Sequence, residues 1–174
     1  MAEIPDTIVL KRDRDLAGRR RDIWIRRGLL GLIAVVPVLA LLNVFGQRAQ
    51  TTTRTADAAA LKLYAPPRVR SGLLYEARFR VTARHELKQA TLMLSPGWFE
   101  GMTVNTVEPS PVGEGSTDGK PTFELGHIAA GRSFLLFVQF QVNPVNVGRH
   151  DQTVWLYDGP RRLLTLHRTI TVFP

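Results

Sequence analysis

Four histidines, His85, His127, His150 and His167, are the side chains in this sequence best suited to hold a metal or move a proton. They are separated by 42, 23 and 17 positions, whereas ligands carried on one turn or helix recur within a few residues. They are therefore expected at turns and on the surface, and no metal site is expected. The chain contains no cysteine, which excludes a disulfide framework, a thiolate nucleophile and a cysteine-held metal. None of Ser71, Ser95, Ser110, Ser116 or Ser133 has a histidine and an acid following in a recognisable order, and no Gly-x-Ser-x-Gly occurs. The stretch GEGSTDG, Gly113 to Gly119, has the glycines of a phosphate loop. It lacks the lysine and the strand-to-helix setting such loops need. Glu114, Ser116 and Asp118 offer oxygens to calcium, but only two are carboxylates, so a mobile hairpin loop is expected there. No catalytic residue, cofactor or enzymatic activity is expected. Trp98 and Phe99, in PGWFEG, are candidate surface contacts for a partner or a carbohydrate; the alternative for Trp98 is an apolar plug in a core.

With no reactive set to position, the informative elements are those that place the chain. From Gly28 to Phe45 eighteen residues carry no charge, and twelve of them are Leu, Ile, Val or Phe. At the central-helix insertion scale those twelve contribute about −4 to −7 kcal/mol. Eighteen residues at helical rise span about 27 Å, enough for the hydrocarbon core of a bilayer. A soluble core helix should show a polar stripe over five turns, and none is present. A cleaved signal has a shorter apolar core and a small-residue site close behind it. Here Ala56-Asp57-Ala58 lies more than ten residues past the apolar end. Residues 28–46 are thus expected to be a transmembrane signal-anchor helix, with Trp24 at the interface. Pro37 leaves a backbone carbonyl unpaired and Asn43 carries an amide. Both favour contact with a neighbouring membrane helix over lipid.

The flanks orient the anchor. Lys11, Arg12, Arg14, Arg19, Arg20, Arg21, Arg26 and Arg27 precede it within twenty residues, against Arg48, Arg54 and Lys62 after it. Eight against three puts the N-terminus in the cytoplasm. The basic segment 1–27 nets only 8 − 5 = +3 because Glu3, Asp6, Asp13, Asp15 and Asp22 are interleaved. It reads as a topology determinant facing anionic lipid, and the lack of stacking aromatics argues against nucleic acid. Residues 47–60 are polar and small and read as a linker, helical or flexible.

From Leu61 to Pro174 the pattern alternates with a period of two. Tyr75, Ala77, Phe79 and Val81 face one way, and Glu76, Arg78 and Arg80 the other. Phe134, Leu136, Val138, Phe140 and Val142 share a face opposite Gln139 and Gln141. Leu135 and Phe137 are apolar too, so cover on both faces is expected in the first half of that strand. Phe79 and Val81 are expected in the sheet facing it. TVWLY, Asp158-Gly159-Pro160 and RRLLTLHRTITV read as a closing hairpin, and LKLYA, LKQATLML, GMTVNTV and PTFELG as shorter strands. About eight strands with Pro, Gly and Asn between them argue for an all-β sandwich or barrel.

Pro96-Gly97-Trp98, then Gly113 to Gly119, then Leu125-Gly126-His127-Ile128 with Gly131, then the strand Ser133 to Val142, together resemble the immunoglobulin-like conserved-repeat modules of bacterial envelope proteins. The resemblance implies an immunoglobulin-like β-sandwich in an envelope setting, used as a spacer or binding unit, and it transfers no catalytic residue. The expected protein is a single-pass cell-membrane protein presenting one such domain outside the cytoplasm to bind another membrane or envelope protein, as an accessory subunit of a membrane complex. The alternative is an envelope polysaccharide-binding module built on Trp98, Phe99 and nearby arginines.

Overall fold

A computed structural model describes residues 20–42 and 47–174, which fall into two units divided near Val44. Arg19 and Asn43, among the residues singled out above, lie outside the described residues.

Among the described residues the first unit is one helix, α1, Arg20–Leu41. It begins eight residues ahead of the apolar block, so Arg21, Arg26 and Arg27 sit on its first two turns. The guanidinium of Arg27 lies 5.5 Å from the Trp24 ring centroid, a cation–π pair at the polar end. The most apolar eighteen-residue stretch within Arg21–Leu41 has a mean hydropathy of 1.8, and twenty-two residues at helical rise give about 33 Å. This is one helix of membrane-spanning length. Pro37 stands inside it and can donate no hydrogen bond to the preceding turn, yet the helix continues, with Leu42 N–H on the Val38 carbonyl at 3.0 Å.

The second unit is an all-β sandwich. Its strands are β1 Gln50–Thr55, β2 Ala59–Ala65, β3 Arg68–Arg70, β4 Leu74–Ala83, β5 Leu87–Leu94, β6 Met102–Glu108, β7 Gly113–Thr117, β8 Lys120–Ile128, β9 Ser133–Val142, β10 Gly148–Asp151, β11 Val154–Asp158, β12 Arg161–Leu166 and β13 Thr169–Phe173. One five-stranded sheet runs β1-β2-β4-β9-β6 and another β12-β11-β5-β8-β7; β10-β13-β3 form a small third sheet. Alternation explains the core. In β4 Tyr75, Ala77, Phe79, Val81 and Ala83 are buried, and in β9 Leu136, Val138, Phe140 and Val142 are fully buried. From the other sheet Leu92, Leu94, Val154, Leu156 and Leu166 join the same core.

Several expectations need correction. Phe79 and Val81 lie in the same sheet as the Phe140 strand, opposite Leu136 and Phe134, because β4 and β9 are antiparallel neighbours. Phe134 is only half-buried. The segment read as a linker carries β1 and the start of β2. Its threonines suit an edge strand whose outer side stays wet, and β structure therefore begins at Gln50 instead of Leu61. The expected loop GEGSTDG is strand β7 followed by a two-residue turn. Asp118 and Gly119 both have positive φ, 51° and 71°, the backbone of the hairpin turn that Asp-Gly favours. The closing hairpin holds for β11 and β12 but breaks at His167. Beyond it β13 leaves for the third sheet and runs parallel to β3.

Since this unit has its own core and contains no cysteine, residues 47–174 produced alone should fold without metal or cofactor. Circular dichroism should show a β spectrum whose melting chelator leaves unchanged. A helical spectrum or chelator-induced unfolding would count against it.

Candidate interaction surfaces

The solvent face of the β1-β2-β4-β9-β6 sheet is built by cross-strand register. Inward positions on β2, β4 and β9 are apolar, so each intervening residue is turned outward. Tyr64, Arg78 and Phe137 are direct neighbours across three strands, and Lys62, Arg80 and Leu135 form the next row. The Arg78 guanidinium lies 5.4 Å from the Tyr64 ring centroid and 5.5 Å from that of Phe137. It is held between two rings, and its Nε donates to Glu76. These residues line a shallow groove of Thr51, Lys62, Tyr64, Arg78, Arg80 and Leu135. Beside it lies a second groove of Glu76, Thr106, Glu108, Phe137 and Gln139. The face is thus cationic at Lys62 and Arg80 and acidic at Glu76 and Glu108, with an aromatic–arginine row between. Leu135 and Phe137 are only half-buried on this face, so the cover expected on both faces of that strand falls short on the outer one.

Trp98 is not on any surface. It sits on a 3-10 turn, Pro96–Trp98, and is fully buried, 5.3 Å from Phe79 and 5.4 Å from Phe140 between ring centroids. Phe99 is partly buried, edge-on to Phe140 at 6.1 Å. The Pro-Gly turn aims the indole inward, into the aromatic cluster with Phe79 and Phe140. Trp98 as a surface contact is therefore corrected to a core plug, and a polysaccharide site built on it loses its platform.

The four histidines stay apart, each with its own neighbour. His127 Nε2 lies 2.8 Å from Glu86 Oε1, His85 Nε2 3.9 Å from Asp57, His150 Nδ1 3.6 Å from Glu100, and His167 Nδ1 3.3 Å from the Thr153 hydroxyl. Among the described residues no group of three or more His, Cys, Asp or Glu is placed to hold a metal ion.

Sequence reasoning missed one polar cluster inside the sandwich. Tyr75 Oη accepts from Gln152 Nε2 at 3.0 Å and donates to Met102 Sδ at 3.1 Å. Arg168 Nη2 donates to the carbonyls of Ala65, at 3.1 Å, and Pro66. Burial drives the Tyr75 phenol well above its usual range, outweighing the Gln152 hydrogen bond and the Arg168 charge. Burial also lowers Arg168 to about 10, against the opposing influence of Tyr75. Tyr75 therefore stays neutral and Arg168 charged at neutral pH. Arg168 ties the Ala65–Pro66 bend to the segment entering β13, which is a structural task. Only its place between Leu166 and Ile170, both apolar, hints at its burial in the sequence.

No protein-family profile and no curated protein matches this sequence. Among solved structures the chain is similar to a protein described as AvmM, which catalyzes macrocyclization in alchivemycin A biosynthesis. That likeness has 6% identity, covers 74% of this chain and 90% of that one, and has a TM-score of 0.43. A non-cellulosomal cohesin from the hyperthermophilic archaeon Archaeoglobus fulgidus is similar at 14% identity, 73% and 92% coverage and a TM-score of 0.42. A GH20 exo beta-N-acetylglucosaminidase from Vibrio harveyi is similar at 10% identity, with 73% of this chain matching 18% of that one and a TM-score of 0.25. No residue role transfers across such distances; the β-sandwich implied by the conserved-repeat resemblance is observed, while no family match supports the repeat family itself.

Proposed function

We propose that this is a single-pass membrane protein, with residues 1–27 in the cytoplasm and the β-sandwich outside it, whose exposed five-stranded face binds another membrane or envelope protein as an accessory subunit. The observation that carries the reading is the row Tyr64–Arg78–Phe137. Tyrosine and arginine are the residues over-represented at the energetic centres of protein interfaces. An arginine already stacked between rings has little left to lose in ordering. Lys62 and Arg80 on one side, Glu76 and Glu108 on the other, call for a partner of complementary charge, which sets orientation. Charge asymmetry around α1 supports the topology, and Pro37 is the feature of the helix that favours a neighbouring helix within the membrane.

The test is crosslinking and mild-detergent capture from membranes with the intact chain. Arg78→Glu is expected to weaken capture of the specific partner by about 2 kcal/mol or more, more than about tenfold. Lys88→Glu, exposed on the opposite sheet, should leave it unchanged, and neither change should move the melting temperature by much. Equal capture by wild type and Arg78→Glu would remove this face from the partner's footprint.

A further inference from the structure

The β-sandwich exposes seven large apolar side chains among the described residues, and five of them gather at one end. Leu73 and Leu74, 47% and 48% exposed, lead into β4. Val145, 91% exposed, and Val147, 52%, lie on the segment that follows β9, and Phe173 ends β13. Hydrogen bonds show that these belong together. Val142 N–H donates to the Leu73 carbonyl and Ser71 N–H to that of Phe173. Gly148 is opposite Val172, so Val147 and Phe173 lie one step beyond the same pair of strands, and Phe173 is opposite Arg70. Arg70 and Arg149, both exposed, flank the cluster.

Strand direction says at which end the chain enters the sandwich. Gln50, where the chain enters the sandwich, is opposite Ala65, one residue past Tyr64, which is opposite Arg78. The entry is therefore level with Ala77, three residues from Leu74, while Thr55 is opposite Ala60 at the level of Thr82. The chain thus comes in toward the apolar end. Only seven residues, 43–49, connect Leu42 to Gln50, eight steps with a covalent reach of at most about 29 Å.

We propose that this apolar end is a lipid-docking surface: Leu73, Leu74, Val145, Val147 and Phe173 enter the interfacial region of the bilayer, and Arg70 and Arg149 meet headgroup phosphates. Apolar side chains ringed by arginine are the composition by which peripheral elements hold an interface. An exposed apolar cluster on a folded domain marks a binding site. The proposal rests on the membrane-anchor reading of α1 and is independent of the partner face, which lies on the side of the sheet.

Because the chain has no cysteine, single labels can be placed cleanly. Val145→Cys and, at the opposite end, Ala130→Cys carry an environment-sensitive fluorophore in the full chain, reconstituted into phosphatidylcholine–phosphatidylglycerol vesicles with and without nitroxide-labelled lipid. The Val145→Cys label should emit at shorter wavelength and be quenched severalfold by the nitroxide, while the Ala130→Cys label is not. An unquenched Val145→Cys label on a chain that survives alkaline washing overturns the docking surface and leaves the anchor standing. A blue-shifted but unquenched label marks a protein occupant and overturns it equally, as does quenching at Ala130→Cys. Release of the whole chain by alkaline washing overturns the anchor reading and this inference together.

Discussion

Phe140→Ala should cost about 3 to 5 kcal/mol and leave the sandwich unfolded or close to it, since a domain of this size has only about 5 to 15 kcal/mol in total. Phe140 is fully buried at the middle of the aromatic core. Its ring stacks on Tyr75 at 5.2 Å and lies 5.4 Å from Trp98 and 6.1 Å from Phe99. β9 is flanked on both sides, by β4 and β6, so the backbone around the void cannot collapse inward without disturbing two ladders. The neighbouring Gln141 is exposed, and Gln141→Ala should stay within about 0.5 kcal/mol. Phe137→Ala falls between, because that ring is half-buried and faces Arg78 on the outer side. Denaturant unfolding of residues 47–174 measures all three. A neutral Phe140→Ala beside a damaging Gln141→Ala would mean that the register of β9 is off by one residue.

The contrast between Phe140 and the glutamines is legible in the sequence, because a period of two with Gln139 and Gln141 on the opposite face specifies which side of β9 is buried. Alternation does not say which strand lies alongside, and so Phe79 and Val81 were expected across the core when they lie in the same sheet. β1 leaves little trace in the sequence because QTTTRT has no buried face at all; only the preference of threonine for extended backbone marks it. β7 was hidden by its glycines. Arg78 and Phe137 were each legible as outward-facing, but the row they make with Tyr64 depends on the pairing of β2, β4 and β9, which no local pattern encodes. The end-on apolar cluster is less local still, since Leu73 and Val145 come from two separate connections and Phe173 from the end of β13. The apolar helix, by contrast, is a property of one uninterrupted segment, and length and hydropathy suffice to see a helix of spanning length.

The second large effect concerns a glycine whose importance is proximity. Gly97 is buried in the 3-10 turn, and a Cβ added there would come within 2.1 Å of the Asp151 carbonyl oxygen, 2.9 Å of its nitrogen and 3.0 Å of its carbon. All three are backbone atoms of β10, so no rotamer change relieves the clash. The same approach is locked by hydrogen bonds: Ser95 Oγ donates to the Asp151 carbonyl at 2.9 Å and Ser95 N–H to that of Thr153 at 3.0 Å. Alanine must therefore push the turn away from β10, lengthen the Ser95 bond and draw Trp98, the next residue, out of its contact with Phe79 and Phe140. Overpacking costs about 1 to 3 kcal/mol and a lost hydrogen bond about 1, so Gly97→Ala should destabilise by about 3 kcal/mol or more. Gly72 provides the contrast. Nothing lies within 4 Å of a Cβ there, and its φ of +76° leaves only the left-handed backbone penalty, about 1 to 2 kcal/mol. The two alanine variants differ in a second observable. Gly97→Ala should red-shift tryptophan emission of the folded domain as Trp98 meets water, while Gly72→Ala should leave emission unchanged. A Gly97→Ala protein with wild-type melting and emission would show that the turn does not rest on β10. Trp98 would then owe its burial to the sheets alone.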